Sequence, residues 1–181
     1  MTSPPPPPIR RPRHASGPAE AGSGWTFSAD ELEREDVQQL LALHVEEMRS
    51  HSPADSCHVL PAGGLQDPAI TFWSLRESHR LLAVGALKQL DRRHGEVKSM
   101  RTAPDALGCG AGTAMLRHIL AEARRRGYER LSLETGSSDP FRPALRLYER
   151  HGFTPCAPFA DYAPSPFTRF LTKALADKLR T

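Results

Sequence analysis

Apolar residues recur at helical spacing in three segments of the chain. The first covers about residues 30–50, and the second covers residues 112–123 and ends at Arg124-Arg125-Arg126-Gly127. These arginines face the negative end of the helix dipole, and a glycine is the usual cap there. The third surrounds residues 144–150, with Gly152 as its cap. One face of the first helix carries Val37, Leu40, Leu41, His44 and Met48.

Seven extended segments surround these helices. They cover residues 25–28, 69–75, 80–90, 95–102, 131–134, 153–156 and 167–172. Polar connections at residues 76–79 and 91–94 are typical of hairpin turns, which makes the second, third and fourth strands antiparallel. The resulting order is β-α-β-β-β-α-β-α-β-β. It predicts an α/β (α+β) domain.

Length and composition predict one folded domain behind a tail. The chain has 181 residues, of which 39% are hydrophobic, which suffices for one ordinary core. Residues 1–24 contain five consecutive prolines followed by Arg10, Arg11 and Arg13, with few apolar side chains. Such a segment cannot bury enough surface to offset its ordering, so we expect a disordered Pro/Arg-rich arm at residues 1–24 and the domain at residues 25–181. A ligand for a proline-binding module, a misassigned start codon and a transit peptide are alternatives for the arm.

Charge and cysteine content restrict the partners. The formal net charge is +3, which the three arginines of the arm account for, so nucleic acid is not indicated as a partner. No apolar run approaches the length of a spanning helix, so no membrane association is expected. Cys57, Cys109 and Cys156 show neither disulfide nor zinc spacing, so no metal is predicted, and we expect a cytoplasmic protein.

A glycine-rich segment follows the strand that ends at Thr102. It consists of Gly108, Cys109, Gly110, Ala111, Gly112 and Thr113, and it opens the second helix. Alternate glycines let backbone N–H groups turn toward an anion, and a helix N-terminus adds unpaired donors. The segment lacks the Gly-Lys-Ser/Thr of a P-loop, and Thr113 replaces the third glycine of a dinucleotide fingerprint. A simple tight turn is the other interpretation of the glycines.

A second motif lies downstream of the glycine loop. Residues 144–153 read A-L-R-L-Y-E-R-H-G-F, and residues 133–137 read L-E-T-G-S. The loop spacing resembles the Gln/Arg-x-x-Gly-x-Gly/Ala loop of Gcn5-related N-acetyltransferases (GNAT), with Leu107 at the Gln/Arg position. The downstream run resembles that family's A-x-x-L-Y-x-x-x-G-F signature. Together with S-M-R-T-A-P at residues 99–104, these motifs resemble small single-domain bacterial members over about residues 25–175.

The resemblance implies a fold and a coenzyme. The GNAT fold has a mixed, mostly antiparallel twisted sheet of six to seven strands and about four helices. Acetyl-CoA would be the co-substrate, and its pantetheine arm would lie where the strand at residues 96–102 splays from the strand starting at Arg130. Met100, Arg101 and Thr102 would supply contacts from the strand. Pyrophosphate would rest on the amides of the glycine loop, although the missing basic side chains at Leu107 and Cys109 predict weakened binding.

The same resemblance suggests catalytic residues. Tyr148 matches the tyrosine that protonates the departing thiolate, and a core tyrosine is the alternative. Glu96 matches the strand position of a general base, and alternation would place it on one face with Lys98 and Met100. A surface glutamate paired with Lys98 is an equal alternative for Glu96. Glu134 is the second candidate for the base. Cys109 has no His partner in the local sequence, so direct attack is favoured over an acyl-enzyme.

The sequence also suggests a class of acceptor. We expect an N-acetyltransferase acting on a small-molecule amine or amino-acid-like compound, with substrate contacts from Glu134, His44 and Asp161. His44 as a helix-edge histidine and Asp161 as a solvated carboxylate are the alternatives. Residues 159–163 and the first helix would contribute to substrate selection. A catalytically degenerate coenzyme-A-binding or interaction module of the same fold is the competing function, and a homodimer is compatible with the fold.

Overall fold

The structure is a computed structural model that describes residues 24–51, 60 and 62–175. The prediction of a disordered arm lies outside these residues except for Gly24, and Cys57 also lies outside them. Within the described ranges, no helix combines the length and apolar character needed to cross a bilayer.

Ten regular elements follow the predicted order. They are β1 (Trp25–Ala29), α1 (Glu35–His51), β2 (Ile70–Glu77), β3 (Arg80–Gln89), β4 (His94–Thr102), α2 (Ala111–Arg125), β5 (Arg130–Gly136), α3 (Arg142–Arg150), β6 (Thr154–Pro155) and β7 (Thr168–Ala174). Short 3-10 turns lie at Ala62–Gln66, Pro104–Ala106 and Asp139–Phe141. The described ranges thus contain three α-helices, where about four helices were expected.

All seven strands form one sheet. Their spatial order is β1-β2-β3-β4-β5-β7-β6. Every neighbouring pair is antiparallel except β4 and β5, which are parallel. The predicted mixed, mostly antiparallel sheet of six to seven strands is confirmed.

Helix α1 begins five residues later than the hydrophobic pattern predicts. Asp30 has a positive φ of 60°, which interrupts a helical path, and its amide donates to the backbone of β2. Glu31 accepts hydrogen bonds from Ser74 Oγ at 2.6 Å and from Arg76 Nε at 2.8 Å. Residues 30 and 31 therefore form hydrogen bonds with β2, and the helix starts after this segment, at Glu35.

The two faces of the sheet carry different helices. On one side, called the α2 face here, a Cβ added to Gly85 of β3 would lie 2.9 Å from Met115 Cγ of α2. On the opposite side, the α1 face, Arg101 of β4 donates to both carboxylate oxygens of Glu47 in α1. Glycine at position 85 permits this close packing of α2. The central strands are therefore covered on both sides.

Candidate active site

Strands β4 and β5 separate after a short paired stretch. Their parallel register runs only from the pair of His94 and Arg130 to the pair of Val97 and Leu133. Beyond Val97, β4 continues along β3 and β5 continues along β7. The two strands therefore leave a gap in the middle of the sheet, where the resemblance places one.

A β-bulge lies in β4 at the edge of this gap. Ser99 has a φ of +49°, and Ser99 and Met100 together face the single residue Gly85 of β3. A bulge adds one unpaired residue to a strand and bends it locally. The bulge therefore changes which residues of β4 share a face.

Because of the extra residue, Met100 lies on the α2 face. Its Cγ is 3.1 Å from the position of a Cβ on Gly85. Glu96 and Lys98 share the α1 face, where their side chains are bonded, and Arg101 follows them on that face. The expectation that Glu96, Lys98 and Met100 lie together is therefore wrong for Met100, since strict alternation holds only in an unbulged strand.

A cavity of about 500 Å³ passes through the gap between the strands. On the side of α2 and α3, its lining includes Met100, Thr102, Gly112, Leu147 and Tyr148. On the side of α1, its lining includes His44, Glu47, Lys98, Arg101 and Glu134. One cavity thus joins the glycine-loop side of the sheet to a polar, charged wall on the other side.

The glycine loop lies at the α2 side of this cavity. Gly108 and Gly110 have φ values of +80° and +93°, and Gly110 caps the N-terminus of α2. The first helical bond runs from the Ala114 amide to the Gly110 carbonyl, at 3.0 Å. Amides of the preceding helical residues have no partner within the helix. At Gly112, an added Cβ would lie 3.1 Å from Thr102 Oγ1, so the loop abuts the end of β4.

No basic side chain comes from the loop itself. Residues 107–113 contain neither lysine nor arginine, and Leu107 is 68% exposed at the cavity wall. The Cys109 thiol donates to the Ala106 carbonyl at 2.9 Å, so its hydrogen bond lies within the turn before α2. The loop consequently offers main-chain donors and helix-dipole charge to an anion.

Glu134 is a carboxyl group without a partner in the cavity wall. Its Oε1 is buried and has no hydrogen bond within the described part of the chain. Burial raises the pKa of Glu134 to about 7; nearby Lys98 opposes this rise and the charge of Glu96 adds to it. A carboxyl group that exchanges its proton near neutral pH can act as a general base.

Tyr148 lines the same cavity from α3. It is 7% exposed, and its ring packs edge-on against Phe153 at 5.8 Å between centroids. Burial raises the pKa of Tyr148, and the charge of Glu134 raises it further. The hydroxyl therefore keeps its proton at neutral pH and can donate it.

Glu96 has two hydrogen-bond donors and does not line the cavity. It is 2% exposed and accepts from the Tyr162 hydroxyl at 2.5 Å and from Lys98 Nζ at 3.1 Å. Lys98 also donates to the Tyr162 oxygen at 2.6 Å. Burial and the Glu96 charge raise the pKa of Tyr162, so its hydroxyl remains a donor. These bonds hold Glu96 within a closed network behind the cavity wall.

The two remaining predicted substrate residues differ in position. His44 lines the cavity, and burial together with the Arg101 charge lowers its pKa to about 4, so its ring is neutral at pH 7. Asp161 is exposed and is not among the cavity-lining residues. Its neighbour Tyr162 is bonded to Lys98, which lines the cavity, and to Glu96, which does not.

Sequence reasoning left out several residues of the site. Lys98 and Phe141 were not among the candidates, and Glu47 and Tyr162 were covered only as parts of the first helix and of residues 159–163, with no role of their own. Tyr162 lies 66 residues from its partner Glu96, and Glu47 lies 54 residues from Arg101. No local spacing signals contacts of this range.

Comparison with known proteins identifies the family of the chain. Residues 34–153 match the model of the acetyltransferase (GNAT) family. The chain belongs to the GNAT family. It is 46% identical over 153 residues to the uncharacterized N-acetyltransferase YedL of Escherichia coli strain K12, covering 84% of this chain and 96% of YedL. It is 50% identical over 146 residues to the uncharacterized N-acetyltransferase YsnE of Bacillus subtilis strain 168, covering 81% and 97%. This GNAT chain is an N-acetyltransferase.

Solved structures of other proteins share the fold. The yncA protein of Salmonella typhimurium, whose structure holds its cofactor acetyl-CoA, matches with a TM-score of 0.61 and 16% identity. The match covers 86% of this GNAT chain and 96% of that chain.

We expect Gly110→Ala to weaken acetyl-CoA binding by roughly tenfold, because a φ of +93° costs an alanine about 1–2 kcal/mol and the loop must shift to relieve it. Titration of acetyl-CoA into the purified variant measures this change. Gly63→Ala is the matched control, since a Cβ there meets open space at an ordinary φ. Equal acetyl-CoA affinity in the wild type and Gly110→Ala would show that the loop conformation does not support coenzyme binding.

Proposed function

We propose that this enzyme transfers the acetyl group of acetyl-CoA to a primary amine of a small molecule by direct attack in a ternary complex. The supporting observation is the unpaired Glu134 carboxyl and the protonated Tyr148 hydroxyl in one cavity, beside the glycine loop that opens helix α2. The cavity can accommodate the two reactants from opposite sides of the sheet.

The α2 side of the cavity fits the coenzyme. Amides of the loop from Gly108 to Thr113 would hold the pyrophosphate, and the gap beside Met100 and Thr102 leaves backbone groups for an extended amide-containing chain. The fold shared with yncA, which holds acetyl-CoA, supports this choice. When bound, acetyl-CoA supplies an activated acyl group on a thiol leaving group.

Glu134 and Tyr148 would carry the two proton transfers. The Glu134 carboxylate accepts a proton from the incoming ammonium, directly or through a water, and the free amine attacks the thioester carbon. A carbon–nitrogen bond forms and the carbon–sulfur bond breaks. Tyr148 then donates its hydroxyl proton to the thiolate. The second proton that the nitrogen loses on forming the amide returns to the Tyr148 oxygen, directly or through a water, which balances the reaction. We assign the base role to Glu134 rather than Glu96, because Glu96 is occupied by Tyr162 and Lys98.

The remaining expectations belong to the same proposal. A cytoplasmic enzyme with no metal requirement agrees with the cysteine usage and the proposed chemistry. Homodimerisation stays a prediction. The loop at residues 107–113 has no basic side chain, and this favours one alternative function, a catalytically degenerate coenzyme-A-binding module.

Thiol release from acetyl-CoA after amine addition tests the function. We expect amine-dependent release with at least one class among amino acids, polyamines and aminoglycosides, together with saturable acetyl-CoA binding. Binding without release for any amine would support the degenerate module. Failure of acetyl-CoA to bind even at high micromolar concentration would reject the proposed co-substrate.

A further inference from the structure

The α1 wall of the cavity contains a guanidinium group with unused donors. Arg101 donates from its two terminal nitrogens to the two oxygens of Glu47, at 2.5 and 2.7 Å. Its Nε is buried and has no partner within the described ranges. A guanidinium has five N–H donors, so the edge that includes Nε remains for another acceptor.

A second unpaired atom of opposite character lies in the same cavity. Glu134 Oε1 is buried without a hydrogen bond, as is Arg101 Nε, and both residues line the cavity on the α1 side. Buried polar atoms normally have partners, because leaving them without one costs free energy. A ligand that carries both a donor and an acceptor would satisfy the two atoms together.

We infer that the acceptor amine also carries a carboxylate, as in an amino acid, with its amine directed to Glu134 and its carboxylate bound on the Nε edge of Arg101. This inference rests on the proposed function and deepens it by naming the substrate class. A carboxylate matches the edge formed by Nε and a terminal nitrogen, since both oxygens can be bonded at once. A neutral carbonyl would use only part of this edge.

The other charged groups around the site are compatible with a zwitterion. Lys98 adds a second cation to the α1 wall, which its bond to Glu96 neutralises in part, and His44 adds no charge because its ring is neutral. Glu47 neutralises Arg101 in part, and Glu134 faces the proposed amine. The two ends of an amino acid therefore meet groups of opposite charge.

Apolar and aromatic groups border this polar site. Met48, His51 and Phe141 line the cavity on the same side, and the rings of His51 and Phe141 meet edge-on at 6.4 Å. They offer a surface for an uncharged side chain. Leucine and phenylalanine are therefore suitable probes.

Matched acceptors test the role of the carboxylate. Thiol release is measured for leucine, leucinamide and isopentylamine, and for phenylalanine, phenylalaninamide and phenethylamine. We expect kcat/KM for each amino acid to exceed that for its amide and its decarboxylated amine by about 10- to 100-fold, as a charge-assisted pair would give. The amide has the less basic amine, so a preference for the acid cannot arise from protonation of the free substrate.

Two variants separate recognition from a structural role. Arg101→Gln should reduce the acid-to-amide ratio to near one. Glu47→Gln weakens the same link between α1 and β4, because it leaves one oxygen to accept from Arg101, and it keeps the guanidinium, so it should preserve or increase the ratio. Equal ratios for acids and amides in the wild type, no turnover of either acid, or the same loss of ratio in both variants would overturn the inference. Turnover of the carboxyl-free amines alone would reject this substrate class and leave the proposed function standing.

Discussion

Glu134→Gln should lower kcat for acetyl transfer by about 100- to 1000-fold, within the usual range for losing a general base. Its carboxylate must be free to accept a proton, so kcat/KM of the wild type should rise with pH through about 7, the pKa to which burial raises Glu134. Glutamine has the same shape and cannot take the proton. The rise near pH 7 should therefore be absent from the variant's pH–rate profile.

Glu96→Gln is the matched control for this experiment. It makes the same chemical change on a neighbouring strand, at a carboxylate that is already bonded to Tyr162 and Lys98. We expect its pH–rate profile to keep a rise, which moves below pH 7 because the charge of Glu96 no longer raises the pKa of Glu134, and the altered network lowers the rate. If Glu96→Gln removes the rise and Glu134→Gln keeps it, the base is Glu96 and the assignment to Glu134 is wrong.

Stability measurements distinguish lost catalysis from lost folding in Glu134→Gln. The folded-state pKa of Glu134 is raised above its ordinary 4.5 to about 7, so the folded protein binds this proton more tightly than the unfolded chain. Its contribution to stability is therefore present below about pH 4.5 and is lost as pH rises to 7. The Glu134→Gln variant has no carboxyl group at this position, so this loss of stability with rising pH is absent from it. We expect its Tm to equal that of the wild type at pH 5 and to be equal or higher at pH 8.

Local signals identified the elements that form the α2 side of the cavity. The glycines at positions 108 and 110 take positive φ values, as the loop spacing suggests. The run from Ala144 to Phe153 places Tyr148 on a helix beside the cavity. In both cases, residues close together in sequence determine the local geometry, so the sequence pattern predicts that geometry without knowledge of the tertiary fold.

Contacts on the α1 side of the cavity could not be predicted from neighbouring residues. The bulge at Ser99 reverses the alternation of β4, and a polar serine in a strand carries no signal for it. The start of α1 depends on Arg76, 40 residues from its partner Asp36. Since these contacts join distant segments, the sequence pattern indicates the elements but not which polar groups meet between them.

In the mechanism that we propose, the charge of Glu134 couples the two proton transfers. Charge on Glu134 raises the pKa of Tyr148, so an ionised Glu134 keeps the tyrosine protonated before the reaction. When Glu134 accepts a proton from the amine, that charge disappears and the Tyr148 hydroxyl becomes more acidic. The first transfer thus favours the second.

Tyr148→Phe should reduce the rate of acetyl transfer at least tenfold while leaving acetyl-CoA affinity unchanged. The substitution removes only the hydroxyl, and the ring can still pack against Phe153. Single-turnover rates and acetyl-CoA titration measure the two quantities separately.

Varying the leaving group tests whether Tyr148 supplies the proton that the departing thiolate takes up. If Tyr148 protonates the departing thiolate, its loss should matter least for acetyl thioesters of pantetheine analogues with more acidic thiols, since these leave readily without a proton. The rate deficit of Tyr148→Phe should therefore shrink as the thiol pKa falls. A deficit that is constant across the series would mean that the hydroxyl positions the substrates and does not donate the proton, and equal rates for the two proteins would remove Tyr148 from the mechanism.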